Sequence, residues 1–294
     1  MQFSLLVFCE IIGDMKSIVV LYHSNCPDGF GAAYAAWKKF GSRAEYIAVS
    51  ARKLPPKMPK SKDVYILDNS YSSHDLKKLT KTNKSVTVID HHISAEKDVR
   101  TAPRYVFDNN HSGAVLSWKF FHSQKSVPAL LKYVENADIW KWKMPYGLEI
   151  STYLASEKFD FKKWDTLAQE FEKKGGVKKY ALYGATMLKY LDRLVEEIVK
   201  RADLVRFEGR RVLAANCPNK KLTSAVGEAL YQKHPPMSVM WYKNEKKLGI
   251  SLRSNGKVDV SKIAGKYGGG GHKAAAAFVL PWNKGFPWKI LKKQ

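Results

Sequence analysis

Asp90-His91-His92 follows directly on an apolar run, Ser85 to Ile89 (SVTVI). Two further acidic turns stand upstream, in YHSNCPDGFGAA (Tyr22 to Ala33) and VYILDNS (Val64 to Ser70). Each apolar run reads as a short buried strand, and each ends in a turn that carries a carboxylate. In a parallel α/β sheet the carboxyl ends of neighbouring strands open on one crevice. Asp28, Asp68, Asp90, His91 and His92 are therefore expected to meet in space. Buried carboxylates are untenable without cations, so this convergence of carboxylate and imidazole predicts a divalent metal of the Mn²⁺ type. Taken singly, each Asp is better explained as a cap or turn former. The metal reading rests on all of them together.

The elements that must hold these side chains alternate between strand and helix at first. Strands are predicted at Ser17–Tyr22, Ala44–Val49, Asp63–Leu67 and Ser85–Ile89, the last of the set. Helices are predicted over Gly29–Phe40 and Ser73–Thr80, the second capped by Ser73. Such interleaving implies βαβ units and a parallel sheet. From Ser112 the pattern turns helical, over Gly113–His122, Pro128–Ala137 and Phe161–Lys173. Beyond the Gly175-Gly176 break, apolar residues from Tyr180 to Ile198 recur at helical spacing. They predict one long helix that ends near Asp203 and joins two domains. A second α/β unit follows, with strands over Arg211–Asn216, Ser238–Tyr242 and Leu248–Leu252 and helices over Ser224–Gln232 and Val260–Tyr267. The basic, aromatic stretch from Trp282 to Gln294 reads as peripheral.

A second constellation lies in that unit. Four consecutive glycines, Gly268 to Gly271, lack Cβ atoms and can turn their amide N–H groups into one concavity suited to an anion. His272 adds an imidazole. A flexible linker is the plainer reading, but the run sits between a helical and an apolar segment, not in a polar stretch. Arg253, after GISL, is a candidate clamp for a second phosphate and equally a surface residue. Asp138 follows a predicted helix and is ambiguous on its residues alone. Trp140, Trp142 and Tyr146 beside it are candidates for base stacking, although such residues more often build core.

The chain has 294 residues, enough for two domains that each bury a core, and its 45% hydrophobic content excludes a disordered chain. Its net charge of +23, with 50 basic against 27 acidic residues, attracts polyanions such as nucleic acid. Cys9, Cys26 and Cys217 are too few and too scattered for a disulfide framework or a paired-cysteine zinc site, which predicts a reducing, cytoplasmic compartment. The apolar stretch Phe3 to Ile12 is interrupted by Glu10 and too short to span a bilayer, so no membrane association is expected.

In order and spacing, HSNCPDGFGAA, LDNS, Asp90-His91-His92, Asp138 and SLRSNGKVDVSKIAGKYGGGGHKAAAAF resemble the signatures of the DHH–DHHA1 phosphoesterase superfamily, over roughly Ser17 to Leu280. The resemblance implies an N-terminal parallel-sheet α/β DHH domain over 15–175, a helical connection over 176–203 and a smaller C-terminal α/β DHHA1 domain over 204–282. Residues 1–14 and 283–294 would then be peripheral. Its nearest functional group is the nanoRNases, pAp phosphatases and RecJ-like single-strand exonucleases. By resemblance the metal ligands are His23, Asp28, Asp68, His91 and Asp138. Asp68 would bridge two ions, Mn²⁺ or alternatively Mg²⁺. His92 would contact the reacting phosphate and Asp90 would orient imidazole, while Arg253, Gly269, Gly270, Gly271 and His272 would hold substrate. The first motif departs from the family, which usually supplies two Asp residues separated by one position. Here Asp28 stands alone, and Asn25 or Cys26 occupies the place of the other.

The implied activity is metal-dependent hydrolysis of short oligonucleotides or single-stranded nucleic-acid ends, by a water activated between two ions, in a cytoplasmic homodimer. Two alternatives stand beside it. One is a small-molecule phosphatase or phosphodiesterase acting on pAp or a cyclic dinucleotide. The other is a non-catalytic nucleic-acid-binding protein on the same scaffold.

Overall fold

In the computed structural model, which describes residues 16–50, 54–56 and 60–293, the first strand pattern becomes β1 (Ile18–His23). The opening segment to Asp14 lies outside the described residues. Val19, Val20 and Leu21 are all fully buried, so both faces of β1 are covered, as a central parallel strand requires. β2 (Ala44–Val49), β3 (Asp63–Leu67), β4 (Ser85–Asp90) and β5 (Arg104–Phe107) join it. Among the described residues these five form one parallel sheet in the order β2-β1-β3-β4-β5. The order reverses between β1 and β3, which opens a crevice at their carboxyl ends.

Helices cover both faces. On one, α2 (Ser73–Thr82) and α3 (Glu96–Val99) bury Leu76, Leu79 and Val99 against Leu21, Ile66 and Val88. On the other, α1 (Pro27–Phe40) packs beside α4 (Gly113–Phe121), and their Phe40 and Phe121 rings meet Tyr65 of β3. α5 (Ala129–Asp138), α6 (Gly147–Ser156) and α7 (Phe161–Glu172) extend this layer, with Trp164 fully buried against Phe30 and Tyr34 of α1.

Several elements differ from the sequence reading. β5 adds a strand beyond Ser85–Ile89; it is a four-residue edge strand with no fully buried side chain, too short to show a period. Ser72 rather than Ser73 caps α2, its Oγ accepting the Asp75 N–H. Asp138 closes α5 instead of following it. α6 starts from a left-handed Tyr146 without a capping side chain, so no start signal marked it.

The chain divides between Ala185 and Thr186, within α8 (Gly176–Lys200). The second unit contains β6 (Asp203–Phe207), β7 (Arg210–Asn216), β8 (Met237–Lys243), β9 (Lys247–Ser254), β10 (Gly270–His272), β11 (Ala275–Pro281) and β12 (Lys289–Lys292). Among the described residues these seven form one sheet in the order β10-β11-β9-β8-β7-β6-β12. Within this sheet, among the described residues, only β7 and β8 pair in parallel. α9 (Thr223–Lys233) and the second half of α8 cover one face through Val226, Leu230 and Val195. α10 (Val260–Lys266) covers the other through Val260, Ile263 and Ala264. The stretch after residue 282 is not a loose tail: β12 pairs with β6, and Phe286 and Trp288 pack against the core. Among the described residues no helix is long and apolar enough to cross a membrane.

Candidate metal centre

β1 ends in His23, β3 leads straight into Asp68, and β4 ends in Asp90, with His91 and His92 next in the chain. Asp28 arrives by another route, in the first turn of α1. That helix crosses the end of β1 so closely that a Cβ on Gly29 would fall 2.2 Å from the His23 carbonyl oxygen. Asp68 itself is left-handed (φ 52°), a conformation Asp tolerates better than most residues. Its N–H donates to Ile89 O at 2.8 Å, which ties the turn to β4.

The side chains converge. Asp68 Oδ2 lies 3.3 Å from His23 Nδ1, and Asp68 Oδ1 lies 3.2 Å from His91 Nε2. The same His91 nitrogen is 3.5 Å from Asp28 Oδ2 and 3.4 Å from Asp138 Oδ2. Two sets of donor atoms result, His23–Cys26–Asp68 and Asp28–His91–Asp138, each within 4.8 Å of one another. Asp68 faces both, with one oxygen toward each. A further grouping links Asp68 with Asp90, His91 and His92. Asp68 is 2% exposed, and its Oδ1 has no hydrogen-bond partner of full geometry among the described residues, with His91 Nε2 3.2 Å away. A buried carboxylate oxygen in that state fits a cation.

The electrostatics point the same way. Burial works against the Asp68 charge, yet the hydrogen bond with His23 and the nearby His91 and His92 imidazoles hold its carboxyl down to about 2. Asp28 moves oppositely: burial, then repulsion from Asp68 and Asp138, pushes it well above the usual range. Burial and Asp68 also raise Asp138. Carboxylates that cannot all ionise together are completed by a divalent cation. His92 Nδ1 meets Asp90 Oδ1 at 2.7 Å, a bond that lifts His92 to about 9. Burial, reinforced by Asp68 and Asp28, pushes the Cys26 thiol up to about 12. A cavity of about 710 Å³ opens here, lined by His23, Asp68, Ser70, Asp90, His92 and Asp98 among others.

Two residues that sequence reasoning missed hold this arrangement. Asp28 accepts the Gly113 N–H (2.7 Å) at Oδ2 and the Ala114 N–H (2.9 Å) at Oδ1. These are orphan amides of the first turn of α4, where negative charge is favoured. A Cβ on Gly113 would lie 2.6 Å from Asp68 Cβ and 3.0 Å from Asp28 Oδ2. Glu135, in the α5 turn that leads to Asp138, accepts the Ser112 N–H (3.1 Å) and Lys141 Nζ (2.9 Å). The signal available was Ser112-Gly113, a capping serine followed by glycine at a helix start.

Trp140 and Trp142 do not enter the core. They are 78% and 39% exposed, edge to face at 5.8 Å, and both left-handed (φ 54° and 45°). Bulky residues in that region are strained, and such strain gathers at functional sites.

In the second unit the glycine run is not the expected concave nest. Gly268 N–H and Gly269 N–H turn back to Gly265 O and Ala264 O and close α10, while Gly270–His272 forms the edge strand β10. Its register is informative: His272 pairs with Ala275, and Ala275 with Arg253. Directly opposed residues share a sheet face, so His272 and Arg253 flank β11 on one face, beside a strip of small residues. Gly270, opposite Ala277 and Ser251, has open space where a Cβ would be. Arg253 is steadied by Leu252 O (2.9 Å) and Ser224 Oγ (3.1 Å) and lines a cavity of about 280 Å³ with Lys220, Thr223 and Tyr242.

Comparison with known proteins agrees with this architecture. The DHHA1 domain family matches residues 209–285. The uncharacterized protein R106 of Acanthamoeba polyphaga mimivirus is 30% identical over 293 residues, covering 91% of this chain and 68% of its own. A pGpG-specific phosphodiesterase, PggH, from Vibrio cholerae shares the fold at a TM-score of 0.52 and 14% identity, over 92% of this chain and 95% of that one. An exonuclease RecJ structure bound to manganese does so at 0.50 and 14%, over 90% and 85%. With the accessory domain matched, a relative along nearly the whole chain and Asp90-His91-His92 at the mouth of the parallel sheet, the chain belongs to the DHH/DHHA1 phosphoesterase superfamily.

Proposed function

We propose that this protein is a metal-dependent phosphodiesterase that hydrolyses short oligonucleotides or the ends of single-stranded nucleic acid, with two divalent ions, Mn²⁺ first among them. The observation that carries the reading is Asp68, whose two oxygens face the two donor sets separately. His23 and Asp68 would hold one ion; Asp28, Asp68, His91 and Asp138 would hold the other. When bound, such ions supply an activated water at neutral pH and stabilise charge on the phosphoryl oxygens.

The chain's own groups do the rest. Asp90 fixes the His92 ring through Nδ1 and favours its protonated form, so the imidazolium is a donor for a phosphoryl oxygen. Trp140 and Trp142 offer faces on which unpaired bases stack. Arg253 and His272 take a substrate phosphate across the open strip at Gly270, with Gly271 completing the edge strand and Gly269 anchoring it to α10. The +23 charge gathers the polyanion.

The test is hydrolysis of labelled DNA and RNA oligomers of graded length, with pAp and cyclic dinucleotides alongside, in the presence of Mn²⁺. Release of mononucleotides from oligomers is the expected result. Cleavage of pAp or cyclic dinucleotides alone moves the substrate to a small nucleotide. Binding without any cleavage moves the protein to the non-catalytic class.

A further inference from the structure

Cys26 stands in a place where its sulfur can only be explained with difficulty as packing. It is the residue before α1, aligned by a left-handed Asn25 (φ 56°), at the end of a helix that favours negative charge. Its Sγ, a His23 nitrogen and an Asp68 oxygen lie within 4.8 Å of one another. Asp68 is 2% exposed, and its Oδ2 is the oxygen that faces His23, at 3.3 Å. The set is thus one nitrogen, one oxygen and one sulfur around a common point. By contrast the other set, Asp28, His91 and Asp138, contains no sulfur.

We propose that Cys26 is a thiolate ligand to the ion held by His23 and Asp68, so that the two metal positions differ in kind. This rests on the two-ion reading above and deepens it. A coordinating thiol loses its proton to the ion, and thiolate shifts preference from Mn²⁺ and Mg²⁺ toward softer Zn²⁺ and Co²⁺. The Asp28–His91–Asp138 position keeps a harder donor set. The protein then takes one soft and one hard divalent ion.

Titration of the full chain with Co²⁺, followed by absorption, tests this. Wild type should develop a sulfur-to-cobalt charge-transfer band in the near ultraviolet that saturates at one equivalent. Cys26→Ser and Cys26→Asp should lose the band, while Cys217→Ser keeps it. In competition between Zn²⁺ and Mn²⁺, Cys26→Asp should move the preference toward Mn²⁺ by roughly tenfold or more. Visible cobalt absorption without the charge-transfer band, or a band that survives in Cys26→Ser, overturns the sulfur ligand and leaves the two-ion reading intact. No cobalt absorption of any kind overturns both.

Discussion

The Asp28 carboxylate rests on the backbone of Gly113, 85 positions away, which donates its N–H at 2.7 Å. A ligand on α1 is therefore aimed by the start of α4, and the fit leaves no room for a side chain. Gly113→Ala should force Asp68 or Asp28 aside. We expect Mn²⁺ affinity to fall about 10–100-fold, the scale seen when a group that orients a ligand is disturbed. Calorimetric metal titration with an unchanged circular-dichroism spectrum checks it. Wild-type affinity in the variant would mean that Asp28 is not a ligand.

Metal binding should depend on pH in one direction. Asp28 and Asp138 are raised by burial and by neighbouring carboxylates. Carboxyls raised in this way bind protons more readily in the metal-free protein, so protons compete with metal and affinity falls as pH falls. At a Mn²⁺ concentration 100 times Kd the stabilisation is roughly 2.7 kcal/mol. The Mn²⁺-induced rise in Tm should shrink steadily from pH 8 toward pH 5. A rise independent of pH would contradict the shifted groups.

Salt and local contacts should separate in the second unit. Wild-type affinity for a short oligonucleotide, read by anisotropy in Ca²⁺, should fall steeply with salt through counterion release. Arg253→Ala and His272→Ala should each weaken binding with little change of slope, and their effects should be less than additive because both flank one strip. Gly270→Val should fold normally, since its Cβ meets open space, yet weaken binding by filling that strip. A salt-insensitive wild type would favour a small phosphorylated substrate.

Trp140→Ala should cost about 1–3 kcal/mol of oligonucleotide binding if a base stacks there. Because the residue is 78% exposed and left-handed, its removal should not lower Tm, and Trp140→Gly should raise it slightly. Lost stability with unchanged oligonucleotide affinity would return the ring to a packing role.

The carboxyl-end turns were legible because strand period and carboxylate coincide: Asp68 and Asp90 follow buried runs, and their meeting is a property of any parallel sheet. Cys26 was visible only as a departure, since a sulfur at a turn has no meaning until His23 and Asp68 close around it. Gly113 was hidden for a different reason. Its contribution is an absent side chain and a backbone N–H, and neither leaves a chemical mark in one-letter code. β5 and β12 escaped because they are four-residue edge strands with no buried side chain, too short and too open to show a period. The glycine run leaves two outcomes open in the sequence, because glycine permits both a concavity and an edge strand. The choice was made by α10, which takes the Gly268 and Gly269 amides for its own end.

The pair of amide bonds to Asp28 has a kinetic consequence. Each oxygen already accepts a peptide N–H, so part of its lone-pair capacity is taken before any ion arrives. An ion resting on Asp28 should exchange with solution faster than one held between His23 and Asp68. In isotope-exchange experiments the loaded protein should release one equivalent of metal early and keep the second. The chain could then change the identity of its labile ion with supply while remaining folded around the other.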